Sequence, residues 1–404
     1  MQPVTMSAPI AFRSWFLFGA APASPVRVDR DVRVDIFRGL SLLIIFVDHV
    51  AGNVLTRITP TSMGFSDAAE YFVLLAGFSA ALAYGSVIDR RSFVTGSAQV
   101  VARIWKLYLA HLGLFVFTAV AVAFMAVRFG NPLYYEHVSI LPFFQDPATT
   151  LLQTAALIFL PNYLDILPLY VVLLAMLPVL WVMARIAPVL AVSASVGLYA
   201  ASWWFGLAIP NMSTGGAWFF NPFAWQLLFT VGMITGHGAL RGVALPRAPW
   251  ITIAAVAIVL FGLVSAAPWA VIAGFEGVIL PDQWRLDLDK TNLSLWRLAH
   301  ALSLAYLVAA HVPRTAAWLS SAVARLLEQA GRHSLPLFCF GVILSLLGTF
   351  AFTEIGRGPL MQIAVNAIGI VLLLATAQMF EWYRTSVARA PAKSPPGTGE
   401  VKVA

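Results

Sequence analysis

The sequence predicts an all-α membrane protein, a polytopic helical bundle of about ten transmembrane spans with both termini in the cytoplasm. Three observations predict it. The 404 residues are 60% hydrophobic and only 11% charged, whereas a soluble chain carries about 25% Asp, Glu, Lys and Arg. Apolar runs of roughly 20 residues, the length that crosses a bilayer, recur along the chain. Lys and Arg gather in alternate connections between those runs. The net charge of +7 comes from cations scattered between apolar runs. It forms no basic block, so it reads as a topology signal and not as a nucleic-acid surface. A single cysteine excludes an internal disulfide and a cysteine-rich metal site; no metal site is evident.

Residues 1–33 read as a cytoplasmic or interfacial tail, because the apolar run Trp15 to Ala23 is short for a signal sequence. The membrane domain runs over 34–384. Its spans are expected near 36–56, 67–88, 105–127, 163–184, 188–208, 223–240, 249–267, 295–312, 333–353 and 358–382. The stretch Thr149–Leu160 is apolar but too short to cross, and reads as interfacial or re-entrant. Residues 385–404, rich in Pro, Lys and Gly, read as a disordered cytoplasmic tail. With the N-terminus inside, 18 Lys and Arg fall on the inner side and 6 on the outer, the asymmetry expected of an inner-membrane protein. An even number of spans then returns the C-terminus inside.

The outer connections differ in character. The stretch 268–294 holds Trp269, Glu276, Asp282, Trp284, Asp287 and Asp289. The loop 209–222 carries Asn211, Trp218, Phe219, Phe220 and Asn221, and the loop 128–162 carries Tyr134, Tyr135, His137 and Asp146. Aromatic rings beside carboxylates and amides suit sugars. For any one Trp an aromatic belt at the membrane interface is the better reading; the clustering with carboxylates in one loop favours sugar.

Ionisable residues inside apolar spans are costly, and such residues mark functional sites. The first span holds Arg38, Asp48 and His49. Eleven residues of helix set His49 about 16 Å beyond Arg38, and eleven steps of about 100° return it to nearly the same face. Asp48 points about 100° away. A cation at one end of a face can hold an anionic donor, while an imidazole further along takes a proton from a hydroxyl.

These residues carry a resemblance. The spacing Arg38-x10-His49 resembles the signature of the acyltransferase 3 superfamily. The stretch Asp67 to Ser79 resembles that superfamily's second span, Arg103-Ile-Trp-Lys106-Leu-Tyr108 its basic motif before the third, and Gly331-Arg-His-Ser-Leu-Pro-Leu-Phe338 its late motif. Within the superfamily the chain resembles the OpgC-like family. That likeness rests on Phe37-Arg-Gly-Leu, Asp48-His49, Phe65 to Glu70, Asp165-Ile-Leu-Pro-Leu-Tyr170, Asn221 to Leu228 and Gly331 to Pro336. It runs from about residue 33 to 380.

The resemblance implies an acyltransferase that succinylates osmoregulated periplasmic glucans in the bacterial inner membrane. The donor would be a cytoplasmic acyl-CoA, succinyl-CoA by family, with no permanently bound cofactor. The partners would be membrane lipids, acyl-CoA and a periplasmic glucan, with no nucleic acid. His49 would be the general base, with Asp48 beside it. Arg38, Arg103 and Lys106 would bind the donor's phosphates or acyl carboxylate. Lys106 stands where the motif has a second Arg, which keeps the charge and loses the bidentate fork. Pro336 stands where the superfamily often has Tyr.

A carboxylate is expected to orient His49, and Glu70 has the right depth. Stabilisation of a helix N-terminus is the other reading of Glu70 and of Asp67. Asp165 either faces the acceptor or caps its helix. Asn221, Trp225 and Gln226 are candidates for the acceptor site and its oxyanion; Trp284, Arg297 and His300 are candidates for glucan contacts. His111, His311 and His333 read as packing or interfacial residues, and Cys339 as a small hydrophobe. Another acyl group, such as acetyl, or another envelope glycan would use the same residues. A transporter or flippase is the reading from a different class, and the chain lacks the internal repeats such proteins often show.

Overall fold

The computed structural model describes residues 30–267 and 287–389. The regular structure of the described chain is helical apart from one hairpin of two-residue strands, Pro210–Asn211 paired with Gly216–Ala217. The long helices are α1 (Val32–His49), α2 (Ala68–Arg90), α3 (Phe93–Phe129), α4 (Ile166–Ile186), α5 (Pro188–Phe205), α6 (Pro222–Leu240), α7 (Pro249–Ala266) and α8 (Leu295–His311). They are followed by a short amphipathic helix, α9 (Ala322–Arg332), then α10 (Ser334–Glu354) and α11 (Pro359–Arg389).

Seven of these helices, α2, α3, α4, α5, α7, α10 and α11, are long and apolar enough to cross a membrane. The other three expected spans also form helices. They depart from an apolar composition for visible reasons: α1 carries Arg33, Asp35, Arg38 and Asp48, α6 carries Gln226 and His237, and α8 has only 17 residues. Thr149–Leu160 is helical only over Pro147–Ala155, too short to cross.

The helix ends sort onto two faces. On one face, Asp89 at the end of α2 accepts from Trp181 and pairs with Arg185 in the last turn of α4 and Arg241 just after α6. On that face too, Arg33 in the first turn of α1 donates to the last carbonyls of α8, Ala309 and Val312. On the opposite face, the starts of α2 and α8 meet through Asp67, Glu70 and Arg297. The first face carries the cation-rich connections, as the Lys and Arg distribution requires.

Helix packing relies on bare backbone at two crossings. A Cβ on Gly77 of α2 would lie 2.0 Å from the Phe229 carbonyl oxygen of α6, and one on Gly232 of α6 would lie 2.0 Å from that of Leu74. The second crossing joins α1 and α9. There Gly39 abuts the Leu327 carbonyl, and Gly331 abuts the Asp35 carbonyl. Small residues that let backbones touch are the usual device for packing helices in lipid, where hydrophobic burial gives no drive. The glycine of the late motif is therefore a contact point that fixes α1, the helix bearing Arg38 and His49. By contrast α7 is peripheral, with Ala255 and Gly262 its buried residues and Trp250, Ile253 and Leu260 turned outward.

Candidate active site

Two small cavities lie along the same set of elements. The inner one is lined by Arg38, Phe72, Arg103, Leu107, Ile166, Leu167, Tyr170, Ser334, Leu335 and Phe338. The outer one is lined by His49, Thr118, His137, Val138, Asn162, Tyr163, Leu164, Val342, Ser345, Leu346 and Thr349. Both are enclosed by α1, α3 and α10, with the start of α4 and Phe72 of α2 completing the inner one and the connection just before α4 the outer one. From Leu107 to Thr118 along α3 is about 16 Å, the same step as from Arg38 to His49 along α1. The shared face deduced from helix geometry thus opens on both cavities, and His111 is buried between their levels.

The inner cavity holds unneutralised charge. Arg38 and Arg103 take part in none of the ion pairs among the described residues. Arg38 Nε is buried there without a hydrogen-bond partner, and its guanidinium lies 6.0 Å from the Phe72 ring centroid. A guanidinium drawn partly out of water, with its Nε unpaired and no counter-ion, is costly unless an anion meets it. Tyr170 and Ser334 add hydroxyls to the same wall. Lys106 is exposed and does not line the cavity. Three residues on from Arg103, it projects from a different part of α3.

His49 closes α1. Its Nδ1 lies 2.6 Å from the carbonyl oxygen of Ile45, one turn back. A carbonyl only accepts, so Nδ1 carries the proton and Nε2 is left with the lone pair. The orienting group is thus a backbone carbonyl and not the carboxylate expected from the sequence. Beyond His49 the chain is held tightly. Asn53 and Asn366 exchange reciprocal amide bonds of 2.8 and 2.9 Å, and Asn53 also donates to the Val47 carbonyl. Gln362 binds both Val54 N and Gly52 O.

The structure reassigns several candidate residues. Both oxygens of Asp48 are taken, by Thr59 Oγ1 at 2.7 Å and Thr61 Oγ1 at 2.6 Å; it folds the turn after α1. Glu70 does not reach His49. It accepts from Arg297 Nε at 2.8 Å and from the Asp67 backbone N–H at 2.9 Å, closing a capping box with Asp67. Asp67 in turn binds Arg297 and Lys290. Arg297 is consumed by this cluster. His300 is buried, with Nδ1 2.7 Å from Ser66 Oγ and its ring against Gly64 and Gly262.

Asn221 caps α6 and donates to Leu207 O and Asn292 Oδ1. Trp225 is fully buried, and its indole donates to the carbonyls of Lys290 and Thr291. Gln226, also fully buried, bonds Ser195. These groups satisfy one another inside the bundle and line neither cavity. Asp165 is buried at the N-cap of α4 but makes no side-chain cap bond. Trp284 and the acidic stretch before Asp287 lie outside the described residues.

Two residues of the outer cavity, His137 and Tyr163, were not singled out from the sequence as site residues. They sit in the connection between α3 and α4, His137 at the end of a one-turn helix and Tyr163 on irregular backbone, where periodicity gives no orientation. The backbone there is met by protein. Asn211 of the hairpin bonds both Leu160 N and Leu160 O at 2.9 Å, and Met212 N–H donates to Ile158 O. Irregular backbone within a membrane protein is stable only where it is paired in this way or lines a cavity.

No curated protein and no solved structure matches the chain. A family model does, over residues 30–385, from just before α1 to the last turns of α11, and by that match the chain belongs to the OpgC protein family.

Proposed function

We propose that the protein moves an acyl group, succinyl, from cytoplasmic acyl-CoA to a hydroxyl of a periplasmic glucan, with His49 as general base. Family membership and the multi-pass helical architecture support a membrane acyltransferase of the bacterial inner membrane. The observation that carries the finer reading is the alignment of the two cavities. Two guanidinium groups that form no ion pair among the described residues stand at one end, and a histidine whose Nε2 accepts no hydrogen bond among them stands at the other.

With the cation-rich face in the cytoplasm and both termini there, Arg38 and Arg103 take the phosphates or the acyl carboxylate of the donor. Lys106 contributes at the rim. The thioester then points along α1 toward His49. His49 Nε2 removes the proton from the acceptor hydroxyl as its oxygen bonds to the thioester carbonyl carbon. The tetrahedral oxyanion collapses, the C–S bond breaks, and the proton on Nε2 passes to the departing thiolate. The products are the glucan ester and free CoA. The fixed Nδ1–H to Ile45 bond holds one tautomer throughout.

The test is transfer by the purified protein in lipid nanodiscs, supplied with succinyl-CoA and a glucan, read as free thiol released and ester formed. Hydrogen bonds to charged groups contribute about 1.5–3 kcal/mol each. Arg38→Met and Arg103→Met should therefore each raise the donor KM about tenfold or more, with Lys106→Met having a smaller effect. Transfer at unchanged donor KM in both Arg variants would refute the assignment of the inner cavity. Preference for acetyl-CoA over succinyl-CoA would overturn the acyl group, and wild-type protein that forms no ester would overturn the function.

A further inference from the structure

The outer cavity contains a second imidazole. His137 lies in the short helix Leu133–His137 and lines the same wall as His49. Its Nε2 is buried and has no hydrogen-bond partner among the described residues. A buried polar atom left unpaired costs about 1–3 kcal/mol, and such atoms in a folded protein call for an explanation. Tyr163 packs against both histidines. Its ring centroid is 5.2 Å from that of His49 and 5.9 Å from that of His137.

The placement is held at a cost. Tyr163 has φ 73°, the left-handed region that a bulky non-glycine residue rarely adopts. Such backbone costs on the order of 1–3 kcal/mol and persists only where the surroundings impose it. Here they do: Asn162 N–H donates to Val138 O at 2.9 Å, and Asn162 Nδ2 donates to His137 O at 3.3 Å. These bonds lock the His137 strand of the loop to the Tyr163 turn. Strain and pairing together hold one aromatic ring against two imidazoles.

We infer that His137 is a second catalytic residue of the acyl transfer, its Nε2–H donating to the carbonyl oxygen of the acyl donor as that oxygen gains charge, with Tyr163 as the positioning residue that packs against both imidazoles. The inference rests on the transfer reading above. Its chemistry needs a neutral imidazole that donates without giving up its proton. Burial, with Arg357 nearby, holds the His137 imidazole below its ordinary range, which favours that neutral form. No other group is left to fill the role among the polar candidates from the sequence, since Asn221, Trp225 and Gln226 are consumed elsewhere in the bundle.

The experiment compares His137→Phe and His137→Gln with wild type in the nanodisc transfer assay, with folding followed by gel filtration and thermal melting. Phe keeps a ring against Tyr163 and removes the donor; Gln restores an N–H donor. Loss of one oxyanion donor lowers kcat about 100-fold or more. The expected result is that loss in kcat for His137→Phe at unchanged donor KM, with His137→Gln recovering at least tenfold of it. Both variants melting with wild type and transferring at the wild-type rate would overturn the inference and leave the transfer reading intact. Equal loss in both variants together with lowered melting would show a packing role, which also overturns it. Absence of transfer by wild type would sink the transfer reading itself, and this inference with it.

Discussion

The cluster at the outer start of α2 separates a structural role from a catalytic one for Glu70. Glu70 has no exposed side-chain surface, Asp67 has 9% and Arg297 has 11%, while Lys290 keeps 28%. Breaking a buried ion pair by removing one partner costs about 3–5 kcal/mol, because the other charge is left unmet. Glu70→Ala and Arg297→Ala should each cost that much. Arg297→Ala should be the worse of the two, since it strips a partner from Asp67 as well as from Glu70.

The double variant Glu70→Ala/Arg297→Ala should cost little more than either single change, giving a coupling energy of at least ~2 kcal/mol. Lys290→Ala should cost about 1 kcal/mol or less, because its pair with Asp67 is partly solvated. The assay is unfolding in detergent followed by tryptophan fluorescence, with transfer activity measured per folded molecule. Activity of the folded Glu70 variants should stay within a few-fold of wild type, since Glu70 does not touch His49. A Glu70→Gln protein of wild-type stability with abolished transfer would refute this reasoning and restore a catalytic carboxylate.

Two further outcomes follow from the way α1 is held. Asn366→Ala removes the reciprocal amide pair with Asn53 and leaves buried polar atoms unmet, a cost of about 1–3 kcal/mol; it should lower the melting temperature and kcat together, because the turn after His49 loosens. Gly331→Ala places a Cβ 1.9 Å from the Asp35 carbonyl oxygen, so α9 and α1 must part. Such overpacking costs about 1–3 kcal/mol, and the accompanying shift of Arg38 should appear as a raised donor KM in steady-state kinetics.

The helices were legible because hydropathy is a property of each segment alone. The common face of Arg38 and His49 was legible because eleven helical steps fix it without reference to any neighbour. The partner of Glu70 was not legible: Arg297 lies 227 residues away, and nothing local to either residue names the other. For the same reason Asn221, Trp225, Gln226 and His300 look like site residues in a sequence and are structural in the fold. Any polar group in an apolar span must be satisfied, and satisfaction by a distant backbone carbonyl leaves no local trace. The support of His49 by Ile45 was within reach of the sequence, since a carbonyl one turn back is always available at a helix end. His137 and Tyr163 were hidden because one ends a one-turn helix and the other sits on irregular backbone, neither long enough for residue spacing to determine direction. His137 being the sole histidine of the connection between α3 and α4 was the one available hint.

The central claim is that His49 performs acyl transfer to a periplasmic glucan. Its most direct test is to express wild type and His49→Ala in cells lacking the native copy, confirm equal membrane levels by blot, and weigh the extracted periplasmic glucans by mass spectrometry. The account predicts glucans carrying added acyl mass, succinyl by value, with wild type and none with His49→Ala. Glucans equally modified in both strains would contradict the role of His49, and glucans unmodified by wild type would contradict the acceptor.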